Sequence, residues 1–277
     1  MELAPAAVSD AEAELLLNTV LDAGINFIDT SIDYGLSEER LGRFIAHRRS
    51  ECFLASKCGC VPGSVDHFHD ERPAVIRSGV EQSLRRLRTD YLDLVQIHRS
   101  LSRRELEISG ALDELVKLKQ EGKVRWIGMS AVLPALVEQI QMGVFDVFQV
   151  PYSLLQREHE ALIYLASGLG AGIVVRGGMA RGMPADWEHR TYYMLSAEKA
   201  RSLWEAAGLD ELLDGMSRQE LVLRFTLSNP DLDTAIVGTR SVDHLRENVA
   251  AAARGPLSPD LVTEIKRRTQ EARAATA

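Results

Sequence analysis

The chain has 277 residues, 45% of them hydrophobic and 26% charged, with a formal net charge of -8. This is ordinary globular composition, and an acidic excess with no basic stripe to offset it excludes nucleic acid or an anionic membrane as the main partner. No run of ~18 apolar residues occurs and residues 1–10 lack the basic and apolar regions of a secretion signal, so a cytoplasmic protein acting on a small neutral molecule is expected.

A helix is expected from near Ser9, followed by a strand over residues 25–31 and a helix start at Ser37, where Glu38 and Glu39 suit a first turn. A strand over 52–57 precedes a helix over 74–88, and a strand over 92–98 precedes a helix over 105–120 that Gly122 closes. A strand over 124–130 leads to a helix ending at Gly143, then a strand over 147–152 and a helix over 158–167. The series ends with a strand over 172–176, a helix over 218–227, a strand over 234–238 and a helix from near Val242.

Short apolar runs alternating with amphipathic stretches are the pattern of βα units around a parallel sheet buried on both faces. No proline- or serine-rich linker divides the series, so one domain over 1–277 is expected. An open dinucleotide-binding sheet is disfavoured, because no G-x-G-x-x-G turn follows the first strand. A β/α barrel remains. There the chemistry sits where strands end, and those ends carry Asp29, Lys57, His98, Ser130 and Gln149, with Tyr34 just beyond the first.

The three cysteines, Cys52, Cys58 and Cys60, are an odd number clustered in nine residues, which suits reduced thiols rather than a secreted disulfide framework. Cys58, Cys60, His67 and His69 contain zinc-competent donors, but their C-x-C and H-x-H spacings are not those of common structural sites. No metal is assigned from the sequence; a metal-dependent barrel hydrolase built on these four residues is a third-ranked alternative.

Residues 24–35 (GINFIDTSIDYG), 83–98 (SLRRLRTDYLDLVQIH), 122–130 (GKVRWIGMS), 149–154 (QVPYSL) and 236–248 (IVGTRSVDHLREN) together resemble the aldo-keto reductase family. The resemblance covers nearly the whole chain. It implies a TIM-type (β/α)8 barrel and reduction of an aldehyde or ketone by hydride from NADPH, with Asp29, Tyr34, Lys57 and His98 as the catalytic tetrad.

The residue types suit that chemistry. Hydride addition leaves charge on the carbonyl oxygen, so a proton donor and a polarising group must stand beside it. A free tyrosine has a pKa of about 10, and a neighbouring ammonium is expected to bring it toward the working range. Lys57 would do this to Tyr34, Asp29 would hold Lys57, and His98 would bind the carbonyl oxygen. Taken singly, each has a plainer reading: an ion pair, a packing aromatic, a satisfied imidazole.

Gly238, Thr239, Arg240 and Ser241 lead into a helix whose N-terminus suits a phosphate. The resemblance implies that these residues hold the adenosine 2'-phosphate, with His244 and Asn248 near the adenine and Ser130 and Gln149 on the nicotinamide carboxamide. Three features depart from the family pattern. Ala131 stands where an asparagine is usual, Arg176 stands where many members stack an aromatic, and the usual N-terminal hairpin and first barrel strand are missing before Ser9. An arginine over the nicotinamide would disfavour its oxidised, cationic form and so favour reduction. Seven strands with two open edges are therefore expected, together with self-association through those edges. A nicotinamide-binding scaffold without turnover is the alternative from another class.

Overall fold

The computed structural model of the chain describes residues 8–62, 68–180 and 196–276. Its seven strands are β1 (Phe27–Asp29), β2 (Phe53–Cys58), β3 (Leu92–Ile97), β4 (Val124–Ser130), β5 (Val147–Pro151), β6 (Gly172–Arg176) and β7 (Thr234–Ile236). They form one parallel sheet in sequence order, each paired with the next, nearly closed into a barrel. The fold is the TIM-type barrel anticipated from the sequence, with seven strands among the described residues and β1 and β7 facing across the seam.

The helices α1 (Asp10–Asp22), α2 (Ser37–Phe44), α3 (Pro73–Leu87), α4 (Arg103–Ser109), α5 (Ala111–Gln120) and α6 (Ala135–Met142) come first. They are followed by α7 (Glu160–Gly168), α8 (Ala197–Ala206), α9 (Arg218–Leu227), α10 (Val242–Ala253) and α11 (Pro259–Thr276). Ser9 opens α1 with a capping box: its hydroxyl accepts from the Glu12 amide, and the Glu12 carboxylate accepts from the Ser9 amide. The apolar stripe Ala13, Leu16, Leu17 and Leu21 is thereby turned inward. No described helix is long and apolar enough to cross a membrane.

One expectation is corrected. The single helix over 105–120 is two, because Gly110 adopts a left-handed conformation (φ 73°) that ends α4 and redirects the chain into α5. α2 does start at Ser37, with Glu38 and Glu39 in its first turn; Ser37 is buried and accepts a 2.9 Å hydrogen bond from the Thr30 hydroxyl. Gly143 does end α6.

The two ends of the strands are built for different tasks. At the N-terminal end, Asp93, Asp146 and Asp233 accept hydrogen bonds from the backbone amides of Leu54, Ile127 and Ile173 respectively, each tying one strand to its neighbour. Arg49 and Arg125 neutralise Asp93. These carboxylates hold the sheet together, whereas the polar side chains at the C-terminal end converge on a common space.

Candidate active site

Parallel pairing sets Asp29 beside Ala55, two residues before Lys57, so the two charged residues share one face of the sheet on adjacent strands, and Lys57 stands beside Gln96. Lys57 Nζ lies 2.5 Å from Asp29 Oδ2 and donates to the Thr30 carbonyl at 2.8 Å. The two side chains are only 1% and 8% exposed. Asp29 Oδ1 also accepts from the amides of Gln149 (2.8 Å) and Gln96 (3.2 Å), and Gln149 Oε1 accepts from the Ser130 hydroxyl at 3.1 Å. A buried carboxylate that takes one ammonium and two amides is well compensated.

Lys57 Nζ stands 5.0 Å from the centre of the Tyr34 ring, and the His98 ring lies edge-on to Tyr34 with centroids 5.8 Å apart. Tyr34 leaves the barrel on the turn after β1, where its amide donates to the Ser31 carbonyl. His98 directly follows β3, pinned by its amide to the Cys58 carbonyl at 3.2 Å. Asp29, Tyr34, Lys57 and His98, separated by up to 69 positions of chain, are thus brought together.

Burial would favour a neutral Lys57, but Asp29 and then Tyr34 outweigh it and hold the ammonium above the ordinary lysine range. For Tyr34 the balance runs opposite to the sequence expectation. Burial raises its phenol above 10 and exceeds the lowering by Lys57, with Asp29 and Asp33 adding to the rise. Tyr34 therefore stays protonated throughout the neutral range. His98 is pushed down to about 3, by burial first and by Lys57 second, and remains a neutral imidazole.

Among the positions the family resemblance suggested for a cofactor, Ser130 and Arg176 end strands of the same sheet. Ser130 and Gln149 end β4 and stand in β5 as register partners, both buried. Arg176 ends β6 and is half-buried beside Pro151 and Ile236. Gly238 and Arg240 are exposed, Thr239 and Asn248 are half-buried, and His244 is exposed on α10. Ser241 caps α10, accepting from the His244 amide. Trp187, Tyr192 and Tyr193, considered from the sequence as pocket walls, lie outside the described residues, as does His67.

Sequence reasoning missed three contributors. Gln96 is legible in retrospect as the polar residue at the C-terminal half of β3, Asp93 being the one at its start, whereas Asp33 and the contact of Cys60 and His69 with His98 depend on how loops fold back. The zinc grouping considered from the sequence also changes: Cys58 is in the hydrophobic core, and it is Cys60 and His69 that meet His98.

The aldo/keto reductase family model matches residues 1–269. The chain belongs to that family. It is 29% identical to the uncharacterized oxidoreductase YqkF of Bacillus subtilis over 92% of this chain and 87% of that one. L-galactose dehydrogenase of Arabidopsis thaliana is 31% identical, covering 88% and 79% of the two chains. The NADH-specific methylglyoxal reductase of Escherichia coli is 29% identical, covering 89% and 85%. Among solved structures, the holo form of aldo-keto reductase AKR11C1 from Bacillus halodurans superposes with a TM-score of 0.83 at 29% identity, over 95% of this chain and 88% of that one. This aldo/keto reductase family oxidoreductase therefore combines the family barrel with a buried lysine–aspartate pair at its mouth.

Proposed function

We propose that the chain reduces an aldehyde or ketone with hydride from NADPH, Tyr34 delivering the proton to the carbonyl oxygen. The observation that carries this reading is the buried Lys57–Asp29 pair at 2.5 Å, with Lys57 5.0 Å from the Tyr34 ring. A nicotinamide, when bound, would supply the carbonyl carbon with a hydride, that is, a hydrogen together with its electron pair. Tyr34, protonated at neutral pH, gives its proton to the developing alkoxide. Lys57 stabilises the phenolate left behind, and Asp29 keeps Lys57 charged and fixed. His98, neutral, donates a hydrogen bond that orients the carbonyl oxygen. All of these groups belong to one sheet and its connections, and 1–277 is taken as a single catalytic domain.

The residues suit a dinucleotide. The first turn of α10 leaves amides without intrahelical partners, and exposed Arg240 stands beside it, which together fit a phosphate. That pairing favours NADPH, although the Escherichia coli relative is NADH-specific. Thr239 and Ser241 would add hydroxyls, Gly238 close backbone approach, and His244 and Asn248 contact with the adenine. The Gln149 amide keeps a second N–H beyond the one given to Asp29, enough to meet a carboxamide alongside Ser130. Arg176 would lie over the nicotinamide and favour its reduced, neutral form.

The test is Tyr34→Phe assayed against a panel of aldehydes, ketones and sugars while NADPH binding is titrated separately. Turnover should fall ~10²-fold or more with cofactor affinity retained, as befits loss of an acid used only in the transition state. Near wild-type turnover on a good substrate would remove Tyr34 from the chemistry.

A further inference from the structure

Cys60 follows β2 and His69 returns to meet it as an isolated antiparallel bridge. The Val61 amide donates to the Phe68 carbonyl at 2.9 Å and the Asp70 amide to the Gly59 carbonyl at 2.7 Å, so backbone bonds on both sides fix Cys60 opposite His69. His98 is pinned independently from β3. Cys60 Sγ lies 3.6 Å from His69 Nε2 and 3.0 Å from His98 Nδ1, and the three donor atoms all lie within 4.8 Å of one another.

We propose that Cys60, His69 and His98 form a binding site for Zn²⁺, placed so that the ion and carbonyl reduction compete for His98. A tetrahedral zinc with ordinary Zn–S and Zn–N lengths needs sulfur–nitrogen separations of about 3.5 Å. The 3.6 Å pair already meets this, and the 3.0 Å pair reaches it by a small rotation of the His98 ring. One thiolate and two imidazoles are donors that zinc accepts, and three protein ligands leave a fourth position for water. The carboxylate of Asp33, 3.7 Å from His98 Nδ1, adds negative charge at the edge of the cluster. Cys60 and His98 are 4% and 21% exposed by residue and side chain respectively, so an ion held there is largely shielded from solvent. On binding, the Cys60 thiol releases its proton to solvent and the sulfur lone pair forms the bond to zinc; no electron is transferred.

Metal binding itself does not depend on the function proposed above, but its effect on turnover does. A His98 ring held by zinc through Nδ1 is no longer free to follow a carbonyl oxygen, and a dication near Tyr34 favours the phenolate over the phenol that must give up a proton. Zinc is therefore expected to inhibit reduction.

Co²⁺ serves as the optical probe for the metal-free full-length protein. One equivalent should give a thiolate-to-cobalt charge-transfer band and tetrahedral d–d absorption, both removed by Zn²⁺. Cys60→Ser, a near-isosteric change that leaves Cys52 and Cys58 in place, should abolish the charge-transfer band. His69→Ala should weaken binding at least ~10²-fold, since even loss of an outer-shell partner costs up to that much. Zinc should also raise the melting temperature of the wild type and not of Cys60→Ser, which keeps the test independent of activity. Absence of a thiolate band in the wild type, or its persistence in Cys60→Ser, would overturn the site. Zinc that binds through Cys60 and His69 without slowing reduction would overturn the competition for His98, and would count against His98 as the carbonyl-orienting group.

Discussion

Asp29→Asn tests the centre of the structure because it keeps the shape of the side chain while removing its charge and turning one acceptor oxygen into a donor. Lys57, 1% exposed, then loses the ion pair at 2.5 Å and is left with its bond to the Thr30 carbonyl. Breaking one side of a pair buried this deeply costs about 3–5 kcal/mol, several times what an exposed pair is worth. In a chain of this size that lowers the melting temperature by on the order of 10 °C. Lys57→Met should cost a similar amount, because it strands the Asp29 carboxylate with only the Gln96 and Gln149 amides to compensate it. The double variant leaves neither charge buried, so it should cost no more than either single variant, giving a coupling energy of at least about 3 kcal/mol in a double-mutant cycle. Urea denaturation and NADPH-linked turnover measured on all four proteins complete the experiment. None of the three variants should reduce a carbonyl at more than about a hundredth of the wild-type rate, the share assigned to acid catalysis. A double variant no less stable than either single one, yet equally inactive, would separate architecture from chemistry. Strictly additive single effects, or single costs below about 1 kcal/mol, would refute the buried pair.

The pH profile of reduction should be flat through neutrality and fall as pH rises through the pKa of Tyr34, which burial places above 10, because the reaction needs the protonated phenol. His98, held near 3, should contribute no acid limb above that value; a fall centred between about 6 and 9 would contradict both assignments. Arg240→Ala should weaken NADPH roughly tenfold to a hundredfold, the value of a charge-assisted phosphate contact, and leave NADH unchanged in a fluorescence titration. Equal loss for both cofactors would remove Arg240 from the 2'-phosphate. Gly42→Ala should destabilise by ~3 kcal/mol or more in thermal denaturation, because its Cβ would fall 2.0 Å from the Arg86 carbonyl oxygen, where α2 crosses α3, and the backbone there cannot give.

Much of the architecture was legible because its signal is local. The runs 124–130 and 172–176 coincide with β4 and β6, since each carries a continuous buried apolar stretch, Ile127–Met129 and Ile173–Val175. The α9 boundaries were likewise readable from apolar spacing of three and four. The strand-end rule then collected Asp29, Lys57 and His98 without any knowledge of distance. The break at Gly110 was missed because the apolar pattern continues on both sides of it and only the backbone conformation separates α4 from α5.

Residue types and their order along the strands were thus determined by the sequence alone: which side chains occupy the barrel mouth, and what chemistry that set is able to perform. Whether Lys57 or burial governs the acidity of Tyr34 was decided only by tertiary structure, because desolvation depends on every group that excludes water and not on any motif. The same holds for Gln96 and Gln149 on Asp29, and for Cys60 and His69 on His98. These contacts join residues whose spacing carries no period, brought together by strand register and by a loop that folds back. Electrostatic energies vary steeply with distance, and chain position by itself specifies none.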